Sequence, residues 1–103
     1  MKIGFIGLGL MGSAIAERIL KSGIDLFVWN RSFDKCRSIV EKGGILCKNP
    51  QDLASSVNIV IICVTGYEAV KEVLFGTNGL TKVIDRPIII DHSTMSPYHA
   101  KDI

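Results

Sequence analysis

Three glycines near the start of the chain have a spacing that can bind phosphate groups. In the stretch GLGLMG, Gly7, Gly9 and Gly12 form the pattern G-x-G-x-x-G, directly after the apolar run KIGFI and before a helical pattern. In that context the first glycine permits a tight turn, the second lets a pyrophosphate approach the backbone, and the third lets helix and strand pack closely. Free N–H groups at the helix start would then face the phosphates. We call residues 7–12 the glycine loop and predict that it binds a dinucleotide through Gly7, Leu8, Gly9, Leu10, Met11 and Gly12. The alternative, a glycine-rich turn without a ligand, does not require all three glycines.

A basic turn follows the second predicted strand, where dinucleotide-binding folds usually place an acid that holds the ribose of NAD. The sequence there has Arg31 and Ser32, with Lys35 one helical turn further on. The forked guanidinium of an arginine matches a phosphate, and its flat face can stack on adenine. This basic turn, residues 30–35, therefore favours NADP(H) over NAD(H). The alternative is a solvated turn without a ligand, but cations are unfavourable beside a helix start.

Strand and helix patterns alternate along the whole chain. Apolar runs predict strands, and apolar residues at helical spacing predict helices. The strands are predicted at 2–6, 24–29, 45–47, 58–64 and 87–91, and the helices at 11–21, 33–42, 49–56, 67–75 and from 96 onwards. Because the strands are continuously apolar, both faces of the sheet should be covered by helices. We predict an α/β fold, a Rossmann-like doubly wound parallel sheet with the strand order 3-2-1-4-5.

The first two predicted helices carry apolar residues at positions that should face the core. In the first helix these are Met11, Ala14, Ile15 and Ile19, and in the second they are Phe33, Cys36 and Val40. Gly23 and the pair at 43–44 should end these two helices. Asn49 is expected to cap the third helix, with Pro50 in its first turn.

Composition narrows the class of protein. The chain has 103 residues, of which 48% are hydrophobic and 21% charged, and its net charge of +2 gives no reason to expect nucleic acid or a membrane surface as a partner. No apolar run is long enough to span a bilayer, and no signal peptide is recognisable, so a cytoplasmic location is expected. Three cysteines without a C-x-x-C pair indicate buried thiols. With two histidines, His92 and His99, no metal site is expected.

The fifth predicted strand is as apolar as the central ones, which suggests a neighbour beyond it. The chain stops in the helix that would lead to that neighbour. We therefore expect the front piece of a longer protein, truncated before the sixth strand. An unpaired apolar edge favours association between copies, so a homo-oligomer through Ile88, Ile89 and Ile90 is a further expectation.

Four segments together resemble the β-hydroxyacid dehydrogenase family. This family includes 3-hydroxyisobutyrate dehydrogenase and tartronate semialdehyde reductase and is related to 6-phosphogluconate dehydrogenase. The glycine loop lies in GFIGLGLMGSAIAERIL, which is similar to the N-terminal signature of that family. WNRSFDK is similar to the turn of its NADP-using members, and VTGYEAVKEVLFGTNGL and DHSTMSP resemble two later family segments. Two positions depart from the pattern: Ile15 stands where methionine is usual, and His92 replaces an apolar residue.

The resemblance implies roles for further residues. Asn30, Arg31, Ser32 and Lys35 would bind the 2′-phosphate of NADP(H), Val64 and Thr65 would line the cofactor channel, Thr94 would contact the nicotinamide half, and Ser93 would bind the substrate carboxylate. Residues 1–103 would form an incomplete NADP-binding domain, because the catalytic lysine and the helical second domain of the family are absent. The parent enzyme would transfer a hydride between NADPH and a small β-hydroxyacid or semialdehyde, and this chain alone would be inactive.

Two alternatives remain open at this stage. Imine reductases and 6-phosphogluconate dehydrogenase share the front end of this family, although the latter usually has alanine where this chain has Gly9. A non-enzymatic NADP-binding module would keep the same nucleotide site as a scaffold or sensor, since a fold does not by itself determine function.

Overall fold

The computed structural model describes residues 1–64, 67–76, 79 and 87–91. Five strands form one parallel sheet in the order β3-β2-β1-β4-β5. The strands are β1 (Lys2–Ile6), β2 (Asp25–Trp29), β3 (Ile45–Leu46), β4 (Ile59–Ile62) and β5 (Ile88–Asp91). This sheet confirms the predicted Rossmann-like class and strand order.

Four α-helices connect the strands. They are α1 (Leu10–Lys21), α2 (Arg37–Glu41), α3 (Pro50–Ser55) and α4 (Tyr67–Phe75), and a short 3-10 helix (Phe33–Cys36) precedes α2. α3 begins as predicted, because the Asn49 side chain accepts a hydrogen bond of 2.7 Å from the Asp52 N–H and Pro50 occupies the first turn. α1 ends before Gly23 and α2 before Gly43, also as predicted.

The core lies on both faces of the sheet. Successive side chains of a strand point to opposite faces, so Phe5 and Ile6 of β1, both fully buried, belong to different apolar clusters. Phe5 packs with Val28 and with residues of α1 and α2, whereas Ile6 packs with Leu53 of α3 and with α4. Two-sided burial explains why the central strands are continuously apolar rather than alternating.

The predicted core face of α1 is partly wrong. Ile15 and Ile19 do pack against the core, but Met11 is 57% exposed and Ala14 is also exposed. The buried residues of α1 are Gly12 and Ala16, which lie one turn apart. The helix approaches the sheet through these small residues, so the bulky residue at its start is turned towards solvent.

The predicted core face of the second helix is also partly wrong. Cys36 is buried as expected, but Phe33 is 54% and Val40 39% exposed, and Ile39 is buried instead. The segment is divided into a short 3-10 helix (Phe33–Cys36) and α2, so it does not follow the single helical period that the prediction assumed over residues 33–42.

The three cysteines are free thiols. Cys36 and Cys47 are buried as predicted, and Cys63 is half-buried just after β4. Burial raises the pKa of the Cys36 thiol, and burial together with the carboxylate of Asp52 raises the pKa of Cys47 to about 11. Both groups therefore stay protonated at neutral pH and behave as small apolar side chains.

β5 forms the outer edge of the described sheet and pairs with β4. Ile88 is 67% and Ile90 48% exposed, while Ile89 packs against the core. The predicted helix from residue 96 onwards lies outside the described residues. Across the part of the chain that the structure describes, no helix is both long and apolar enough to cross a membrane.

Candidate functional site

The glycine loop joins the carboxyl end of β1 to the start of α1. β1 lies between β2 and β4, so the chain runs outwards in both directions from this point of the sheet. In doubly wound folds a crevice opens outside the carboxyl ends of the strands at such a switch point, and ligands bind there. The ends of β1, β2 and β4 therefore define the candidate site.

Gly7 makes the turn of the glycine loop possible. Its φ of +100° is a conformation that residues with a side chain rarely adopt. A Cβ atom at this position would also collide with the carbonyl oxygen of Cys63, at the end of β4. The Gly7 N–H donates a hydrogen bond of 3.1 Å to the Trp29 carbonyl at the end of β2. Gly7 thus lies where the carboxyl ends of β1, β2 and β4 come close to one another.

Gly12 has the packing role that the spacing predicts, and Gly9 has the space that its predicted role requires. A Cβ at Gly12 would collide with the carbonyl oxygen of Gly7 and lie 3.2 Å from the ring of Phe5, so glycine permits the close approach of α1 to the turn. A Cβ at Gly9 would meet no atom of the described residues within 4 Å. A pyrophosphate that binds this loop needs such an open approach to the backbone.

The start of α1 is free to bind an anion. No side chain caps the helix at Gly9, and its first turn has no acidic residue. Ser13 donates a hydrogen bond from its hydroxyl to the Leu8 carbonyl at 3.0 Å and one from its N–H to the Gly9 carbonyl at 2.8 Å. These two bonds attach the glycine loop to the first turns of α1. The predicted contact residues differ in exposure: Leu8 is buried, whereas Leu10 is 96% exposed. An anion at this helix end would also interact favourably with the helix dipole.

The Asn30 side chain connects the glycine loop to the basic turn. Its Oδ1 atom accepts a hydrogen bond of 2.8 Å from the Leu8 N–H, and its Nδ2 atom donates one of 2.9 Å to the Ser32 carbonyl. The bond to Leu8 is partly buried, which makes it harder to replace by water, whereas the bond to Ser32 is exposed. Asn30 therefore links the glycine loop directly to the basic turn.

The cations of the basic turn point outwards. Arg31, Ser32 and Lys35 are exposed at the carboxyl end of β2, and no ion pair within the described ranges involves Arg31 or Lys35. The acid of the turn, Asp34, instead pairs with Arg37 at 3.4 Å. This arrangement leaves positive charge available beside the place where an adenosine ribose would lie.

A cavity beside this turn was not predicted from the sequence. It has a volume of about 430 Å³, and its described lining consists of Trp29, Arg31, Glu68, Ala69 and Glu72. We call it the α4 cavity, because three of these residues belong to α4. The Trp29 indole N–H donates a hydrogen bond of 3.1 Å to the Lys48 carbonyl. The signal available in the sequence was the strand order, since the crossover from β4 to β5 places α4 on the face of the sheet that Trp29 shares.

Val64, which the sequence predicts to line the cofactor channel, lies next to the glycine loop. It follows β4, packs against the core, and its Cγ1 atom is 2.9 Å from where a Cβ on Gly7 would lie. The other predicted contacts, Thr65, Ser93 and Thr94, lie outside the described residues. Within the described ranges, no cluster of three or more His, Cys, Asp or Glu side chains could hold a metal ion.

The sheet order and the geometry of the three glycines define a dinucleotide-binding domain of the Rossmann type. Residues 2–103 match the family described as the NAD binding domain of 6-phosphogluconate dehydrogenase, and the chain belongs to this family. It is therefore an NAD(P)-binding domain of the dehydrogenase and reductase class.

Comparison with individual proteins agrees with this family. The chain is 39% identical over 98 residues to the cytokine-like nuclear factor N-PAC of Xenopus tropicalis, covering 93% of this chain and 18% of that protein. Two solved structures share the fold. Psf3 in complex with NADP+ and 2-OPP has 32% identity and a TM-score of 0.87, over 97% of this chain and 36% of that one. Streptomyces aurantiacus imine reductase has 27% identity and a TM-score of 0.86, over 99% and 35%. The chain thus spans less than a fifth of the N-PAC relative and about a third of the two solved chains.

Proposed function

We propose that this chain is the NADP(H)-binding portion of an oxidoreductase that transfers a hydride between NADPH and a small β-hydroxyacid or its semialdehyde. In this proposal residues 1–103 form an incomplete Rossmann domain. A helical second domain, elsewhere in the same protein, supplies the catalytic lysine and most of the substrate pocket. The chain alone binds cofactor and turns nothing over.

The proposed preference for NADP(H) rests on one observation, the exposed and unpaired position of the Arg31 side chain among the described residues. It is exposed at the end of β2, it has no ion pair among the described residues, and the neighbouring Asn30 is held on both sides by hydrogen bonds. A carboxylate at this position would repel a 2′-phosphate, whereas a free guanidinium attracts it. These features support NADP(H) as the cofactor.

Each predicted contact then has a physical role. The N–H groups of the glycine loop bind the pyrophosphate, and Arg31, Ser32 and Lys35 bind the 2′-phosphate beside it. By resemblance to β-hydroxyacid dehydrogenases, Val64 and Thr65 line the channel, Thr94 contacts the nicotinamide half, and Ser93 binds the substrate carboxylate. The cofactor supplies the hydride when bound, so the protein has to orient it and exclude other reactions.

A paired titration tests this proposal. NADPH and NADH are each titrated by calorimetry into the chain and, in parallel, into the full-length protein, at one low salt concentration. We expect tighter binding of NADPH, and we expect Arg31→Ala to weaken NADPH roughly 30- to 100-fold, as befits loss of charge-assisted hydrogen bonds to a phosphate, while leaving NADH unchanged.

The matched control is Arg37→Ala. Arg37 is also an exposed arginine in this segment, but its guanidinium pairs with Asp34. This variant removes the same charge and should leave the preference for NADPH intact. Equal binding of both cofactors by the wild-type full-length protein would contradict the NADP(H) assignment, and binding of neither would contradict the dinucleotide site itself.

Two other functions are each favoured by one comparison. The similarity to Streptomyces aurantiacus imine reductase favours a reductase that acts on a C=N bond. The similarity to N-PAC, a protein named as a nuclear factor, favours a non-enzymatic NADP-binding module and a location other than the cytoplasm that the sequence suggests. NADPH oxidation by the full-length protein, measured with semialdehydes and with cyclic imines, separates the three. Reduction of semialdehydes alone supports our proposal, and binding without any turnover supports the module.

The edge of the sheet supports a proposal about assembly. β5 exposes Ile88 and Ile90, and an apolar edge strand is a template for pairing. We propose that copies of the chain associate through this strand. Light scattering after size-exclusion chromatography should give a mass above that of a monomer at high concentration, and Ile90→Lys should restore the monomer. A monomeric wild-type chain would contradict this.

A further inference from the structure

We propose that Glu68 and Glu72 select the base of the bound nucleotide, by accepting hydrogen bonds from the exocyclic amine of an adenine ring seated in the α4 cavity. This inference rests on the proposed function, because it assumes that the nucleotide places its 2′-phosphate at the basic turn. It assigns to α4 a role in recognition that the glycine loop and the basic turn do not perform.

The two carboxylates line the same cavity as the basic turn. Glu68 and Glu72 are four residues apart on α4, so they share one face of the helix. Both line the same cavity as Arg31 and Trp29, and Ala69 between them has only a methyl group. The lining of the cavity therefore combines a flat aromatic residue, a small residue and several polar groups, and this combination suits a planar ring with polar substituents.

The charges of the cavity define what its ligand must present. Arg31 supplies a cation to the cavity, and the two glutamates supply hydrogen-bond acceptors. Within the described residues, no hydrogen bond or ion pair engages the side chain of Arg31, Glu68 or Glu72, so all three are open to a ligand. Carboxylates only accept hydrogen bonds. A ligand that satisfies both kinds of group carries a phosphate towards Arg31 and an N–H donor towards α4.

Adenosine 2′-phosphate has this combination of groups. Its phosphate is attached to the ribose, and its exocyclic amine lies on the far edge of the base. A hypoxanthine base has a carbonyl oxygen in place of that amine, which would meet the carboxylates as acceptor against acceptor. The α4 cavity should therefore prefer adenine to hypoxanthine on the same dinucleotide.

The test compares two cofactors that differ only on one edge of the base, where the hypoxanthine analogue has a carbonyl oxygen in place of the amine and an N–H in place of the adjacent ring nitrogen. NADPH and its hypoxanthine analogue, nicotinamide hypoxanthine dinucleotide phosphate, are titrated into the full-length protein by calorimetry. We expect about tenfold tighter binding of NADPH, which is the size of one hydrogen bond to a charged group. In the Glu68→Gln/Glu72→Gln double variant the ratio should fall to roughly twofold or less, because an amide both donates and accepts.

The ratio of the two affinities is the readout, because removing negative charge strengthens the binding of any anionic nucleotide. Such a general effect changes both affinities equally and leaves the ratio unchanged. Glu41→Gln serves as the control for the loss of a negative charge elsewhere on the chain and should leave the ratio unchanged, since Glu41 is an exposed glutamate at the end of α2 and does not line the cavity.

The outcomes separate this inference from the proposed function. Equal binding of both cofactors by the wild-type protein, or a tenfold ratio that persists in the double variant, overturns the role of Glu68 and Glu72 and leaves the NADP(H) site standing. Absence of binding by either cofactor overturns the proposed function and this inference with it.

Discussion

The glycine loop and the basic turn lie side by side at the carboxyl ends of β1 and β2, but they present different groups to a ligand. The loop relies on backbone atoms and on the absence of side chains: Gly7 and Gly12 have no room for a Cβ. The turn relies on side chains that have ample room, because Arg31, Ser32 and Lys35 are exposed. The glycine loop is therefore part of the packed fold, whereas the side chains of the basic turn lie on its surface.

This difference separates two properties that a nucleotide site combines. Changes in the glycine loop should affect folding and the binding of every dinucleotide, because the same atoms serve both. Changes in the basic turn should affect the choice between cofactors and leave stability nearly unchanged, as is usual for exposed side chains. Asn30 belongs to both regions, since its side chain bonds to Leu8 and to Ser32.

The largest effect should come from alanine at Gly12, with alanine at Gly9 as its matched control. Gly12→Ala forces a Cβ against the Gly7 carbonyl and should lower the free energy of unfolding by about 3 kcal/mol. The Cβ of Gly9→Ala meets no atom of the described residues within 4 Å, and this variant should cost about 1 kcal/mol or less as an alanine at an N-cap. Both variants should lose cofactor affinity. Urea unfolding and calorimetry check these values, and equal stability of the two variants would contradict the assigned roles.

An intermediate effect is expected at Asn30. Asn30→Ala removes the acceptor of the Leu8 N–H and the donor to the Ser32 carbonyl, and should lower the free energy of unfolding by about 1–2 kcal/mol. Because it loosens the glycine loop as well as the basic turn, it should weaken NADPH and NADH alike. A loss confined to NADPH, as expected for Arg31→Ala, would mean that Asn30 acts on the 2′-phosphate alone.

The smallest effect should come from Glu17, far from both regions. Its carboxylate connects α1 to the end of α2, at 3.0 Å from the Lys42 Nζ and 3.6 Å from the Lys21 Nζ. The hydrogen bond and charge of Lys42, and then the charge of Lys21, lower the pKa of Glu17 below its ordinary value of 4.5. The stabilisation is therefore present above that value and is lost as the pH falls through the lowered pKa.

Urea unfolding of Glu17→Gln at several pH values measures this contribution. The variant should be slightly less stable than the wild type at neutral pH, and the difference should vanish in acid, since an ion pair this exposed to solvent is weak. Glu41→Gln, which has no ion pair among the described residues, is the control. A deficit that is as large in acid as at neutral pH would assign the effect to packing.

The order of the strands could be predicted because it depends on patterns that repeat along the chain. Continuous apolar strands that alternate with helices leave few topologies, and right-handed crossovers choose among them. The packing roles of Gly7 and Gly12 could be predicted for a related reason, since the G-x-G-x-x-G spacing between a strand and a helix leaves no room for a side chain at these two positions.

Side-chain directions were less predictable, because they depend on how elements approach one another. Met11 was expected in the core on helical spacing, but α1 packs through Gly12 and Ala16 and turns Met11 outwards. Phe33 was also expected in the core on helical spacing, but it is exposed at the start of a separate 3-10 helix. The α4 cavity could not be predicted from this signal, because residues of β2 and α4, which are distant in the sequence, meet there only after the sheet has formed.

The position of Trp29 has a practical consequence. It is the one tryptophan of the chain, it lines the α4 cavity, and its indole is fixed by a hydrogen bond to the Lys48 carbonyl. The tryptophan fluorescence of this chain therefore arises from a single fluorophore in the wall of the candidate site. A reduced nicotinamide cofactor absorbs in the range where tryptophan emits, so its arrival should quench that emission by energy transfer. Occupancy, and the rates of association and dissociation, can then be followed optically in the unlabelled chain.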